Sequence, residues 1–134
     1  MAGALSVRKH GTKQPIGELE IGEAEKMMES NEDIKSQIRL TLEHFNDLVS
    51  SRDLRVLSEF APDDDVLLIG SEAGEVAKGK HELEAFFRRI YAREASYSWE
   101  WERIDASHAG DLVWFFAEGR AILTTVNEKR EALY

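Results

Sequence analysis

Two long alternating segments near the C-terminus constrain the fold of this chain more than any other feature. They run from Ser96 to Ala106 and from Leu112 to Val126, and the turn sequence Ser107-His108-Ala109-Gly110 separates them. Long strands joined by so short a connection pair as antiparallel neighbours. The sequence therefore predicts an antiparallel sheet built around this hairpin.

Helical spacing predicts three helices before the hairpin. The first begins near Ser30, where Asp33 completes a capping-box pattern. Its apolar stripe comprises Ile34, Ile38, Thr41, Leu42, Phe45, Leu48 and Val49. Asp53 is a candidate cap for a second, shorter helix that ends at Pro62. Gly79 opens a third helix, whose predicted buried face comprises Leu83, Phe86, Phe87 and Ile90.

Two short apolar segments, 66–70 and 75–78, predict a small hairpin between the second and third helices. A second turn is predicted at residues 127–130, and Glu131 begins a further strand. Helices that cover one face of an antiparallel sheet define an α+β fold, which is the fold class that we predict.

The first 30 residues differ in composition from the rest of the chain. They contain few large apolar side chains, and seven acidic residues against one Lys lie between Glu18 and Asp33. We interpret residues 1–30 as a flexible or loosely docked acidic arm, in which segment 17–21 alternates like an edge strand. Residues 31–134 then form one domain, and the 134-residue chain is long enough to bury one substantial core.

The composition excludes several classes of partner and chemistry. The chain has 26 acidic and 17 basic residues, a formal net charge of -9, whereas nucleic acids and anionic membranes are bound by clustered Lys and Arg. The absence of cysteine excludes disulfides and thiolate chemistry. The sequence contains neither an apolar run of ~18 residues nor the apolar core of a secretory signal, so we expect a cytoplasmic protein.

Two segments of the sequence carry a resemblance to a known family. The segment Phe60-Ala61-Pro62-Asp63-Asp64-Asp65-Val66-Leu67-Leu68-Ile69-Gly70, followed by Gly79 and a helix with Phe86-Phe87, resembles the front half of SnoaL-like domains. These domains belong to the nuclear transport factor 2-like superfamily. The segments Trp99-Glu100-Trp101 and Gly110-Asp111-Leu112-Val113-Trp114 resemble their central hairpin. The resemblance covers about residues 31 to 126, so residues 31–134 are read as a SnoaL-like domain.

The resemblance implies a cone-shaped, cystatin-like roll, in which a curved antiparallel sheet wraps around the N-terminal helices. Such folds finish with further long strands, whereas this sequence ends at Tyr134, where the next strand begins. We therefore expect the final strands to be missing, unless a tail or a partner completes the sheet. Relatives of this fold include ketosteroid isomerase, scytalone dehydratase and polyketide cyclases, which use acid–base chemistry without a cofactor. No cofactor is therefore expected, and no motif here matches their catalytic residues.

One face of the long hairpin gathers the candidate ligand-binding residues. If Asp105 faces Leu112 across the turn, period-two alternation places six candidates on this face: Tyr97, Trp99, Trp101, Trp114, Phe116 and Arg120. An apolar wall with a few polar groups is typical of a small-molecule pocket. It is equally typical of a homodimer interface, which the residues slightly favour. A slip of one residue would exchange the two faces.

Three carboxylates are candidates for acid–base catalysis. Glu118 joins the aromatic face, where a desolvated carboxylate suits proton transfer near neutral pH. Glu100 and Glu102 alternate with the tryptophans. If their face lines the interior of the cone, they become the better candidates for the acid–base group in place of Glu118; otherwise they lie on a solvated outer face. No metal site is predicted, because residues 63–65 lack the spacing of a calcium loop and no two histidines are spaced as ligands.

Three functions remain open at this point. The first is a homodimer that binds a small apolar ligand in the cone without catalysis. The second is a cofactor-independent isomerase, dehydratase or cyclase, which needs a carboxylate base and a donor such as Tyr97 or Tyr91 in an apolar pocket. The third is an assembly module whose aromatic face meets a partner protein. Which carboxylates line the cone distinguishes the enzyme from the other two.

Overall fold

The computed structural model describes residues 2–3, 7–8, 21–62, 64–127 and 129–133. Its helices are α1 (Ile21–Ser50), a 3-10 helix (Leu54–Glu59) and α2 (Gly79–Tyr91). Its strands are β1 (Ala2–Gly3), β2 (Val7–Arg8), β3 (Leu67–Ile69), β4 (Val76–Lys78), β5 (Ser96–Ala109), β6 (Leu112–Thr124) and β7 (Lys129–Leu133). The described strands form an antiparallel sheet β1-β3-β4 and a second one in which β6 pairs with β5, β2 and β7. The predicted α+β class is confirmed.

Helix α1 begins earlier than the sequence pattern indicates. It starts at Ile21, so the capping box predicted at Ser30 is wrong, and the helix enters the segment interpreted as an arm. Residues 24–29 are Ala, Glu, Lys, Met, Met and Glu, which are strong helix formers, so the helix continues through them at little cost. The predicted apolar stripe is confirmed by its buried members, Ile38, Leu42, Phe45, Leu48 and Val49.

The corner after α1 is held by Asp53 and Tyr91. As predicted, Asp53 caps the next helix: its carboxylate accepts from the backbone N–H of Arg55 at 2.9 Å. Hydrogen bonds from Arg55 hold the pKa of Asp53 below its ordinary value. The Tyr91 hydroxyl, at the end of α2, donates to the backbone oxygen of Asp53 at 3.1 Å, and burial raises the pKa of Tyr91 to about 12. The phenol therefore stays a donor and ties α2 to this corner.

The small hairpin leads directly into α2. Gly79 has φ of 75°, which glycine adopts without strain, and its N–H donates to the backbone oxygen of Val66 at 2.8 Å. The predicted start of this helix is confirmed. Its predicted buried face is also confirmed and comprises Leu83, Phe86, Phe87 and Ile90.

The long hairpin is confirmed, but its predicted register is wrong. The turn comprises only residues 110–111, so β5 continues to Ala109, which pairs with Leu112. A glycine with positive φ as the first residue of a two-residue turn is typical of type II′ turns, which match the twist of paired strands. Asp105 therefore faces Phe116 and not Leu112.

A bulge interrupts the pairing of β5 with β6. Trp101 faces Gly119, whereas Arg103 faces Glu118, so Glu102 has no partner residue opposite it. A bulge changes the face to which the following side chains point. Before the bulge the odd-numbered residues of β5 point inward, and after it the even-numbered ones do, as the burial of Ile104 shows.

Helix α1 covers the edge of β5 that faces away from β6. Asn46 Oδ1 accepts a hydrogen bond from the backbone N–H of Trp99 at 2.6 Å. Arg39 Nη1 donates to the backbone oxygen of Trp101 at 3.3 Å. These side chains satisfy backbone groups that would otherwise form an open sheet edge.

The terminal segments extend both sheets. Strand β1 pairs with β3, and β2 pairs with β6, with Val7 opposite Val113. The candidate edge strand at 17–21 lies outside the described residues, except for Ile21, which begins α1. Strand β7 pairs with β6 and begins at Lys129, two residues before the predicted start, and the described strands leave the sheet unclosed.

Two buried clusters form the core. The larger one joins α1, the 3-10 helix, α2, the small sheet and the first half of β5, and Phe86 and Phe87 are among its most buried members. Phe45 lies near its centre, with its ring centroid 5.8 Å from that of Trp99. The smaller cluster packs α1 on the second half of the hairpin through Ile38, Leu42 and Ile104. No helix among the described residues has both the length and the apolar composition of a membrane span.

We expect Gly119→Ala to destabilise the fold. A Cβ at this position would overlap the backbone oxygen of Glu100 and lie 3.0 Å from Trp101 Cα, so β5 would have to move away at the bulge. Overpacking of this kind costs about 1–3 kcal/mol in the free energy of unfolding. Urea denaturation measures it, with the exposed strand residue His108→Ala as control. Equal stability of the two variants would contradict the close approach of the strands at the bulge.

Candidate functional site

A cavity of about 70 Å3 lies between α1, α2 and the sheet. We call its apolar wall the floor, which comprises Val49, Phe86, Phe87, Ile90, Trp99, Ala121 and Leu123. We call its polar wall the rim, which comprises Ser71, Glu72, Glu75, Arg93 and Tyr97. An apolar wall with a few converging polar groups is the usual construction of a small-molecule site.

Arg93 connects the other charged and polar groups of the rim. Its Nη1 donates a hydrogen bond to Tyr97 Oη at 2.9 Å. Its Nη2 lies 3.5 Å from Glu75 Oε1 and 3.6 Å from Glu72 Oε2. The hydrogen bond to Tyr97, reinforced by the two carboxylates, holds the pKa of Arg93 above its ordinary value. The rim thus combines one permanent cation with two carboxylates.

The turn between β3 and β4 positions both rim carboxylates. Glu75 Oε2 accepts from the backbone N–H of Glu72 at 3.1 Å, and the backbone N–H of Gly70 donates to the backbone oxygen of Glu75 at 2.6 Å. A Cβ at Gly70 would overlap the side chain of Glu75, so only glycine allows this close approach. The side chain of Glu75 is consequently only 11% exposed, whereas that of Glu72 is 65% exposed.

The loop after α2 positions Arg93. Arg52, which follows α1, donates from its Nη2 to the backbone oxygens of Arg93 at 2.8 Å and Glu94 at 3.0 Å. Arg52 has φ of 58°, an uncommon value for a non-glycine residue, which its two hydrogen bonds help to maintain. The ends of α1 and α2 are therefore joined directly beside the rim.

The six candidate ligand-binding residues do not share one face. Tyr97 and Trp99 line the cavity. Trp101 stacks on Trp99, with ring centroids 6.2 Å apart, and packs against both core clusters. Its indole Nε1 is buried and has no hydrogen-bond partner among the described residues.

The other three candidates lie on the opposite face of the sheet, which we call the outer face. Trp114 is 52% exposed and Phe116 is 60% exposed. Arg120 pairs with Glu102, with its Nε 2.9 Å from Glu102 Oε1. The bulge explains why the six candidates are split between two faces. It pairs the odd-numbered residues in the first half of β5 with odd-numbered residues of β6, so the even-numbered Trp114, Phe116 and Arg120 point to the other side.

The three candidate carboxylates also lie away from the cavity. Glu118 is exposed on the outer face, where its Oε2 lies 3.9 Å from Arg103 Nη1. Glu100 is exposed, and Glu102 pairs with Arg120. None of the three is desolvated by an aromatic wall, so the environment on which the acid–base hypothesis depended is not present around them.

A wider groove of about 480 Å3 runs between the 3-10 helix and α2. Its lining includes Phe60, Pro62 and Leu83, with Lys80 and Glu84 as charged groups. Glu84 is engaged by Arg88 at 2.8 Å. We take the smaller cavity as the candidate site, because its floor is part of the packed core and its polar groups converge on one cation.

The three described histidines, His44, His81 and His108, do not come together as metal ligands. His44 Nε2 lies 3.3 Å from Glu59 Oε1, and His81 and His108 are exposed. His10 lies outside the described residues. Within the described part of the chain, no group of three His, Asp or Glu side chains is arranged to hold a metal ion.

Sequence reasoning missed the three charged residues of the rim. Glu72 lies between the two short predicted strands, Glu75 begins the second of them, and Arg93 follows the third helix. The sequence did contain one hint of these residues. The glycine-containing turn carries Glu72 and directly precedes Glu75, and Arg93 lies at the end of a helix four residues before Tyr97. Their convergence depends on tertiary packing, because residues 72 and 93 belong to different elements.

Comparison with known proteins relates this chain to a protein family. A family model described as a SnoaL-like domain matches residues 38–133. Neither the curated proteins nor the solved structures contain a significant match to this chain. The matched range includes the C-terminal part of α1, both helices that follow it and the complete long hairpin, and it contains every residue of the floor and the rim.

We expect Arg93→Met to lower the free energy of unfolding by roughly 1–2 kcal/mol, because it leaves the largely buried Glu75 without its cation. The matched control is Arg88→Met, which removes an exposed ion pair on α2 and should cost less than about 0.5 kcal/mol. Urea denaturation of both variants, and of Arg93→Met combined with Glu75→Gln, measures the coupling. Purely additive losses would contradict a direct Arg93–Glu75 interaction.

Proposed function

This chain belongs to the SnoaL-like domain family of the nuclear transport factor 2-like superfamily, and we propose that it binds a small ligand in the cavity between its helices and its sheet. An apolar group of the ligand occupies the floor, and its polar end remains at the rim. The observation that carries this proposal is the division of one cavity into an apolar floor and a polar rim centred on Arg93.

The volume of the cavity limits the ligand. An engineered cavity of about 150 Å3 holds benzene, whereas this cavity is about 70 Å3. The enclosed part of the ligand is therefore a short branched group of about three carbons, such as an isopropyl end, and not a fused ring system. A larger ligand would extend past the rim into solvent.

Binding without catalysis is the function that the geometry supports best. The cavity's two carboxylates, Glu72 and Glu75, are both engaged with Arg93 at the rim, and the floor contains no carboxylate. Of the two donors considered for an enzyme, Tyr91 donates to the backbone of Asp53, and Tyr97 lies at the rim beside Arg93, outside the apolar floor. An isomerase-type reaction needs a base beside the reacting carbon inside the apolar pocket, and the floor supplies none.

We also propose that the chain forms a homodimer through the outer face. Leu112, Trp114 and Phe116 give this face an exposed apolar centre. Charged side chains of both signs surround it. They form two ion pairs, Arg103 with Asp105 and Arg120 with Glu102. A two-fold interface places the same patch on both subunits, so a patch that carries both charges can be complementary to itself.

We expect 3-methyl-1-butanol, an uncharged ligand of suitable size, to raise the thermal midpoint of the protein, because a ligand that binds the native state stabilises it. Ala121→Leu fills the floor and should abolish the shift. Ala109→Leu, at an exposed position near the hairpin turn, should leave it unchanged. The absence of a shift in the unmodified protein, or its persistence in Ala121→Leu, would contradict binding in this cavity.

We expect sedimentation at micromolar concentrations to give a mass near twice 15.2 kDa. Phe116→Glu should shift the protein to monomer, because it places a carboxylate at the apolar centre of the interface. Val76→Glu, a similarly exposed position on the small sheet, is the matched control and should remain dimeric. A monomeric unmodified protein would exclude the dimer, and binding of a different protein to this face would then favour the assembly function.

A further inference from the structure

We infer that the ligand of this cavity is a small aliphatic amine, or another cation with a short apolar group, and not a carboxylic acid. The inference rests on the proposed binding function, since it specifies the chemical class of the ligand at that site. The reason lies in the charges of the rim, where one guanidinium is already shared between two carboxylates.

The guanidinium of Arg93 is the obvious partner for an anionic ligand, but three other groups of the rim already surround it. Nη1 donates to Tyr97, and Nη2 lies beside Glu75 and Glu72. A ligand carboxylate at Arg93 would become the third carboxylate around one cation. It would also approach Glu75, whose second oxygen accepts a hydrogen bond from the backbone N–H of Glu72.

An ammonium group meets the opposite situation. Its three N–H donors require acceptors, and the exposed carboxylate of Glu72 is reachable from the mouth of the cavity. Counting Glu72, Glu75 and Arg93 as charged, the rim carries a net charge of -1, because two carboxylates face one guanidinium. The aromatic rings of Tyr97 and Trp99 line the same cavity, and aromatic faces attract cations.

The net charge of the whole chain also favours a cationic ligand over an anionic one. With a formal net charge of -9, the protein attracts cations and repels anions before contact. This general effect is distinct from the rim effect, because it is the same for every site on the surface. A variant that removes one charge far from the rim separates the two contributions.

Three ligands with one carbon skeleton test the inference: 3-methylbutylamine, 3-methyl-1-butanol and 3-methylbutanoate. We expect calorimetric titration at pH 7 and low salt to give an affinity about tenfold higher for the amine than for the acid, with the alcohol between them. Added salt should reduce this ratio, because mobile ions screen the partly exposed rim charges.

The two proposals fail in different ways. If the uncharged alcohol does not bind, the proposed binding function is wrong and this inference falls with it. If the alcohol binds but the acid binds as tightly as the amine, or more tightly, only the inference on ligand charge is overturned.

Glu72→Gln tests whether the rim is responsible for the preference for an amine. It removes one rim carboxylate from a largely exposed position, so the amine-to-acid affinity ratio should fall several-fold. The matched control, Glu43→Gln, makes the same change of charge on an exposed residue of α1 and should leave the ratio unaltered. An equal fall in both variants would assign the preference to net charge and overturn the role of the rim.

Discussion

The bulge at Glu102 is the constraint on which the arrangement of this molecule depends. Because Glu102 has no partner in β6, the inward side of β5 changes from odd-numbered to even-numbered residues at this point. The first half of the strand thereby contributes Tyr97 and Trp99 to the cavity, and the second half contributes Ile104 to the smaller core cluster. Gly119 makes the bulge possible, since a Cβ there would meet the backbone of Glu100.

Local patterns allowed much of the fold to be predicted. The spacing of Leu83, Phe86, Phe87 and Ile90 defines the buried face of α2, and Asp53 and Gly79 mark helix starts through capping and turn chemistry that involve near neighbours. The register of the hairpin was not predictable in the same way. It depended on whether the turn had four residues or two, and on a bulge that strict alternation cannot represent. The start of α1 was misplaced for a related reason: a good cap at Ser30 is irrelevant when the preceding residues favour helix too.

Only the aromatic residues of the candidate site could be predicted from the sequence. Tyr97 and Trp99 stood out as aromatic residues on a strand, but a rim assembled from a turn, a loop and a strand has no sequence spacing. Glu75 and Arg93 meet because Arg52 fixes the loop after α2 and Gly70 lets the β3–β4 turn fold closely. Such interactions between distant segments exist only once the core has packed, so the residues they join are individually indistinguishable from surface charges.

The floor and the rim differ in how freely they can change. Phe86, Phe87 and Trp99 belong to the floor and also to the larger core cluster, so they cannot be replaced to fit a larger ligand without a loss of stability. Enlarging the cavity by its own volume of about 70 Å3 would cost about 1.7 kcal/mol from the void alone, before the lost burial of the deleted atoms is counted. The rim lies in a turn and a loop, where Glu72 is mostly exposed and its replacement disturbs little packing. Within this architecture the size of the bound group is therefore fixed by the core, whereas its charge is set by residues that can change independently of the fold.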